Sequence, residues 1–236
     1  MIANSISIPM LTRPAATDIV TSGLVMHLDA RNVASYQGSG TTWTDLSGAG
    51  NHGTFTATPS VSNGVVSLSG SYHVTTTNQF ANPQSFSVEV WFRTNSASGR
   101  KLIGLENAQT GSVVVWDRHY YIDTSGNLRF AVFSGDQNTV NYGFVADNSW
   151  RCAAVSYNAG IANHYLNAAL LETRTATAAS YSGWWRVFGF SNAGYAGGGA
   201  DGGFIGEGAI VRIYNRPMAA AEWEQNFNTN RAWFGI

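Results

Sequence analysis

Lysine is almost missing from this sequence: Lys101 is the only one in 236 residues. Cysteine also occurs once, at Cys152, which excludes an intrachain disulfide and any cysteine-built metal cluster. Within Cys152-Ala153-Ala154-Val155 it reads as a small buried hydrophobe. Charged residues make up 11% of the chain, with a formal net charge of −1, against about 25% charged in ordinary soluble domains. No basic run supplies the cationic footprint that counterion release on nucleic acid requires, so nucleic-acid binding is excluded. No apolar stretch approaches the roughly 20 residues that span a bilayer. The opening Met1-Ile2-Ala3-Asn4-Ser5-Ile6-Ser7-Ile8-Pro9 lacks the positive start and apolar run of a secretory signal, which predicts no classical export. Lysines commonly guard exposed sheet edges against strand addition. With one lysine, two readings stay open: the edges are buried on partner subunits, or turns, Pro and Arg protect them.

What is present is apolar and aromatic. Hydrophobic residues are 44%, and 8 Trp, 10 Tyr and 12 Phe can fill a sizeable core. No Pro-rich, Gly/Ser-rich or charged linker divides the chain, so residues 23–236 are expected to form one domain. Residues 1–22 stand apart as an extended arm. Ile6 and Ile8 alternate with Ser5 and Ser7, then Pro9 and Pro14 interrupt regular structure. Ile2, Ile6, Ile8, Met10 and Leu11 lie in a segment too short to bury itself, and are expected to contact another chain. From Gly23 onward, short β-type runs alternate with Gly, Asn, Asp and Ser clusters, about a dozen in all. They include Leu24–Leu28, Ser85–Phe92, Lys101–Leu105, Ser112–Trp116, Leu128–Phe133, Arg151–Tyr157 and Ala209–Tyr214. From Ser85 to Arg93, the period of two predicts Phe86, Val88, Val90 and Phe92 toward a core and Ser87, Glu89, Trp91 and Arg93 away from it. One short helix is predicted, Ala219 to Asn228, after Pro217 and with Glu222 in its first turn.

Several segments, in order, carry a family resemblance. They are Gly23-Leu24-Val25-Met26-His27-Leu28-Asp29-Ala30, Tyr36 to Trp43, Asp45-Leu46-Ser47-Gly48-Ala49-Gly50-Asn51-His52-Gly53, and Leu68-Ser69-Gly70-Ser71-Tyr72 before the strand Phe86–Phe92. Asn148-Ser149-Trp150 then leads the strand ending Ala154-Val155-Ser156-Tyr157, and Gly208 to Arg216, Gln225 to Asn228 and Arg231 to Ile236 close the chain. In this order the sequence resembles the laminin-G-like jelly rolls of the concanavalin A-like lectin/glucanase superfamily, across residues 23–236. The resemblance implies an all-β sandwich of two antiparallel sheets, with one short C-terminal helix and the N-terminal arm. It is similar to versions found in virion proteins of tailed phages. That implies a non-enzymatic head-decoration or fibre module, assembled in the host cytoplasm, with other virion proteins and its own copies as partners. The alternative is a carbohydrate-binding module for host attachment, with surface glycans as ligand. Two departures stand out. Met218-Ala219-Ala220 offers no Ser or Thr cap for the helix. Asn167-Ala168-Ala169 replaces the usual Asn-Gly hairpin turn, so a longer loop or another turn type is expected there.

The superfamily includes glycoside hydrolases, and hydrolysis needs two carboxylates flanking the bond. In its glucanases they share one strand as Glu-x-Asp-x-x-Glu, a spacing this chain lacks. Glu89 is a lone strand carboxylate with Trp91 two residues on, and no Gly-x-Ser-x-Gly elbow occurs. No catalytic residue is expected. Many laminin-G-like domains hold calcium at the sandwich rim. Asp45, Ser47 and Asn51 match as oxygen donors, but Asp-Leu-Ser-Gly also makes an Asx turn without metal, and Asp201 in its glycine-rich loop is equally ambiguous. The turn is the preferred reading, with no cofactor. His27, His52, His73, His119 and His164 show no zinc spacing. For sugar, Tyr181, Trp184 and Trp185 are the candidate platform, with Trp116 to Tyr121 as a second aromatic run; packing in the core is the competing role for both.

Overall fold

The computed structural model describes residues 18–97, 100–111, 113–134, 136–189, 198 and 202–236. The arm residues Ile2, Ile6, Ile8, Met10 and Leu11, and Asp201, lie outside them. The strands in chain order begin with β1 (Leu24–Asp29), β2 (Thr42–Trp43), β3 (Gly53–Phe55), β4 (Ser60–Ser62), β5 (Val65–Ser69), β6 (Val74–Thr76), β7 (Ser85–Arg93) and β8 (Lys101–Glu106). They continue with β9 (Trp116–Ile122), β10 (Asn127–Ser134), β11 (Asp136–Phe144), β12 (Arg151–Asn158), β13 (Ile161–Leu166), β14 (Ala169–Thr175), β15 (Trp184–Val187) and β16 (Ile205–Tyr214). One helix, α1 (Ala220–Phe234), follows. Sheet A has the order β14-β13-β12-β7-β16-β5-β4, with β1 also on β16; sheet B has the order β11-β10-β9-β8-β15-β6-β3-β2. Every pairing is antiparallel. The sandwich, its two antiparallel sheets and its C-terminal helix are as the sequence implied.

The main core lies between the sheets. Phe86, Val88, Val90 and Phe92 of β7 enter it with Val211 and Ile213 of β16, and meet Ile103, Leu105, Tyr120, Phe130 and Trp185 of sheet B. The expected alternation on β7 therefore holds. Complete burial of each large side chain is worth roughly 1.5–3 kcal/mol, and this layer is what pins the register. The other face of β7 is buried too, because α1 lies across it: Trp91 stacks on Phe227 at 5.6 Å and on Phe234 at 4.3 Å between ring centroids.

The helix extends past the predicted Asn228 to Phe234. Its buried face is Trp223, Asn226, Phe227, Asn230 and Phe234, at helical spacing, but two asparagines interrupt the apolar stripe and hide it from a hydrophobic reading. The missing Ser/Thr cap is partly made good by Glu222, which accepts from Ala219 N at 2.8 Å and binds Arg216 through both oxygens. Gly235, at φ 72°, closes the other end.

Two more expectations are corrected. In the run Ser112–Trp116, Ser112 lies outside the described residues and residues 113–115 are not strand; β9 begins at Trp116, and Val114 is exposed. Trp116–Ile122, read from the sequence as an aromatic run, forms β9, and its Asp117, Arg118 and His119 are buried. The β13–β14 connection is not a longer loop. Leu166 pairs with Ala169, and Asn167 and Ala168 form a two-residue turn with φ of 52° and 63°. Asn167 holds it in place: its Oδ1 accepts from Cys152 N and its N donates to Cys152 O. The described end of the arm also has a place. Val20 is buried beside Tyr214, Met218 and Trp223, and its N donates to Asn226 Oδ1 at 2.9 Å.

Candidate functional site

Glu89 sits under α1, at the centre of a buried polar network. Its Oε1 accepts from Arg212 Nη1 at 2.9 Å and from Trp91 Nε1 at 2.5 Å, and its Oε2 accepts from Asn226 Nδ2 at 2.9 Å. The Cys152 thiol lies 3.7 Å from Oε1, and burial together with the Glu89 charge pushes that thiol well above its ordinary pKa. Asn230 Oδ1 accepts from Arg31 Nη2 at 2.7 Å, linking the network to Asp29 through Arg31. A carboxylate so enclosed reaches no substrate; it anchors the helix to the sheet.

Asp45 is likewise occupied by its own turn. Oδ1 accepts from His27 N and Ser47 N at 2.7 and 2.8 Å, and Oδ2 accepts from Ser47 Oγ and Asn51 N at 2.7 and 3.0 Å. This is the Asx-type geometry, extended by one more donor. Among the described residues no group of three or more His, Cys, Asp or Glu is placed to hold a metal ion.

The outer face of sheet B carries a second polar layer. Trp184, Glu106 and Trp116 lie in one cross-strand row. Glu106 pairs with Lys101 and, at 2.8 Å, with Arg186 Nε. Arg186 Nη2 also donates to Ala108 O and Gly111 O at 3.0 and 3.2 Å, drawing the loop after β8 over the face. His119 lies over Gly104, leaving no room there for a Cβ. Burial, then Lys101, lowers its pKa well below the ordinary value; burial, then Arg186 and Lys101, lowers His73 to about 3. Both imidazoles are neutral at pH 7. Lys101, Glu106 and His119 have almost no exposure, so this layer is enclosed.

The three candidate sugar-binding aromatics do not share one surface. Trp184 and Trp185 are consecutive on β15 and therefore face opposite ways. Trp185 is fully buried against Phe86 and Phe80, with centroids at 5.3 and 6.4 Å. Trp184 is partly buried on the outer face. Tyr181 donates its hydroxyl to Leu105 O at 2.7 Å, and the Arg118 guanidinium lies 5.4 Å from its ring centroid.

One of the three, Trp185, lines a cleft. Where the segment after β6 crosses from sheet B to sheet A, a cleft of about 290 Å³ opens, lined by Phe80, Asn82, Gln84, Phe86, Trp185 and Asn215 among others. Asn82, held at φ 37°, accepts from Gln84 Nε2 at 2.9 Å and from Tyr181 N at 3.1 Å. Among the described residues that line the cleft, Tyr214 is the only ionisable one. Sequence reasoning reached Trp185 in this lining but missed Asn82, Gln84 and Asn215. The signal available was Asn82-Pro83-Gln84, an amide-rich turn directly before the strongest strand.

Residues 68–222 match the family profile described as the concanavalin A-like lectin/glucanases superfamily, and the chain belongs to that family. Domain 4 of an extracellular arabinanase from Geobacillus stearothermophilus, solved in complex with arabinotriose, is similar at 14% identity and a TM-score of 0.63, covering 87% of this chain and 98% of that one. A Trypanosoma rangeli sialidase is similar at 12% identity and a TM-score of 0.62, covering 89% of this chain and 33% of that one. A structure of botulinum neurotoxin type C, whose cell entry is described as dependent on interaction with two ganglioside molecules, is similar at 16% identity and a TM-score of 0.59, covering 88% and 51%. The chain thus spans about a third of the sialidase and half of the neurotoxin chain. No curated protein matches the sequence.

Proposed function

We propose that this chain is a non-enzymatic binding module that takes a neutral saccharide in the cleft at the end of the sandwich. The observation that carries this is the pairing of a partly exposed ring, Phe80, packed over the buried Phe86 and Trp185, with the amides of Asn82, Gln84 and Asn215 at one opening. A sugar ring presents C–H groups on its faces and hydroxyls at its rim, the complement of such a lining. The absence of acidic and basic side chains from the lining favours a neutral unit over a charged one. A similar fold solved with arabinotriose supports the ligand class. The test is a glycan array followed by calorimetric titration of the retained glycan. Gln84→Ala and Asn215→Ala are each expected to weaken binding roughly tenfold, with unfolding temperature little changed. An array with no retained glycan, or affinity unchanged in both variants, refutes the reading.

The setting we propose is a tailed-phage virion, with other virion proteins and further copies of the chain as partners. The ordered segments across residues 23–236 support this, as does an arm whose Ile2, Ile6, Ile8, Met10 and Leu11 are apolar. Deleting residues 1–15 is expected to leave a folded sandwich that no longer joins its assembly. Normal incorporation of the truncated chain into particles would count against it.

A further inference from the structure

The two sheets end very differently on the two sides of the sandwich. On one side the terminal strands are β4 and β2, of three and two residues. On the other they are β14 and β11, of seven and nine. Tyr142 of β11 brings these two long edges together: its hydroxyl lies 3.5 Å from Glu172 Oε2, and its ring centroid lies 4.9 Å from that of His164 on β13. Long edges are normally guarded by lysine, proline or distortion. β14 reads Ala169-Leu170-Leu171-Glu172-Thr173-Arg174-Thr175, with neither lysine nor proline. Its one irregularity falls at Leu171, after which Glu172, Thr173, Arg174 and Thr175 run in regular register with β13. Leu170 is 54% and Leu171 41% exposed, and Ile161 on the adjoining strand is 45% exposed.

We propose that β14 is an interface for a second copy of this chain, the two β14 strands pairing antiparallel about a two-fold axis at Thr173. The occupant is selected by charge: Arg174 Nη1 lies 3.9 Å from Glu172 Oε2 within one chain, and across the axis each of the two also meets its opposite. In that register Glu172 stands directly opposite Arg174 of the second copy, and Arg174 opposite Glu172 of the second copy. Directly opposed residues share a face with Cβ atoms about 4.5–5.5 Å apart, so both pairs are within contact. Parallel pairing in register would instead set Glu172 against Glu172. Glu172-Thr173-Arg174 is thus self-complementary in the antiparallel sense alone, as an isologous interface requires. Leu171 falls opposite Thr175 of the second copy, where pairing shields it from water. Sheet A then runs continuously through both molecules. The end cleft takes no part, so the pairing stands independently of any glycan.

The test is the mass of the full chain by sedimentation or light scattering at micromolar to 100 micromolar concentration. A dimer is expected. Glu172→Arg alone and Arg174→Glu alone each place like charges opposite one another twice per dimer, and are expected to raise the dimer Kd roughly tenfold or more. The double variant E172R/R174E restores complementarity and should dimerise as the parent does, which a variant that merely misfolds would not. A monomeric parent, single variants that dimerise normally, or a double variant that stays monomeric overturns the proposal. A dimer that survives both single reversals and is lost on deleting residues 1–15 assigns association to the arm and overturns it too.

Discussion

Arg212 stands directly across from Glu89 on the neighbouring strand, its Nη1 2.9 Å from Glu89 Oε1, and both side chains are buried. Taking two such ions out of water costs several kcal/mol each, and only close geometry with further hydrogen bonds offsets that. Trp91 and Asn226 supply those bonds, one from the strand and one from α1. The network therefore specifies where the helix docks, which apolar contact alone would leave loosely defined.

Breaking one partner should be costly. Glu89→Gln leaves the Arg212 guanidinium buried without its counter-ion and is expected to lower unfolding stability by about 3–5 kcal/mol. A urea midpoint equal to that of the parent would remove the anchoring role assigned to this pair.

The same enclosure predicts no chemistry from Glu89. Purified protein is expected to leave β-glucans intact in a reducing-sugar assay, since no second carboxylate is arranged with it to protonate and attack. Turnover that disappears in a folded Glu89→Gln variant would contradict this.

The tight β13–β14 turn stores a local strain. Ala168 holds φ 63°, a region that costs a residue with a Cβ roughly 1–2 kcal/mol and glycine nothing. After glycine's greater unfolded entropy is subtracted, Ala168→Gly should stabilise the protein by roughly 0.5–1 kcal/mol. Asn167→Gly should do the reverse, because it removes the bond from Cys152 N. Thermal unfolding of the two variants separates these effects; equal shifts would show that the turn residues are interchangeable.

Buried histidines set the acid sensitivity. His27, His73 and His164 are each held down to about 3, chiefly by burial and then by Arg212, by Arg186 and Lys101, and by Arg174 respectively. In the unfolded chain their value is near 6.5. Between pH 6.5 and 3 the unfolded state binds more protons than the folded one. The stability these groups confer is therefore complete above about 6.5 and is lost as pH falls toward 3. The slope is up to about 1.4 kcal/mol per pH unit for each fully titrating histidine. Urea midpoints at pH 7.5, 6, 5 and 4 should fall steadily, and a flat profile would show that these imidazoles charge without opening the fold.

The strand at Ser85–Phe92 was legible because its period of two is local, and the family order across the chain was legible because turn residues punctuate it. Less legible were elements whose burial depends on partners far away in sequence. Asp117, Arg118 and His119 are three consecutive polar residues of a strand, and their burial depends on partners elsewhere in the chain. Asn226 and Asn230 broke the apolar stripe of α1, yet they are the residues that meet Glu89 and Arg212. An arginine inside Ile210-Val211-Arg212-Ile213 was a signal in the sequence that a buried carboxylate must lie nearby.

The sequence by itself determined the all-β class, the inward face of β7, the presence of a C-terminal helix and the lack of paired strand carboxylates. Each of these follows from side-chain periodicity or residue type over a few positions. Only the tertiary structure decided that Glu89 meets Arg212 beneath α1, that Trp184 and Trp185 serve opposite faces, and that Asn82, Gln84 and Asn215 border one cleft. Asn82 and Asn215 are brought to that cleft across more than a hundred residues of chain. Such meetings depend on strand order and on the stacking of the two sheets, which the period of any single strand does not encode.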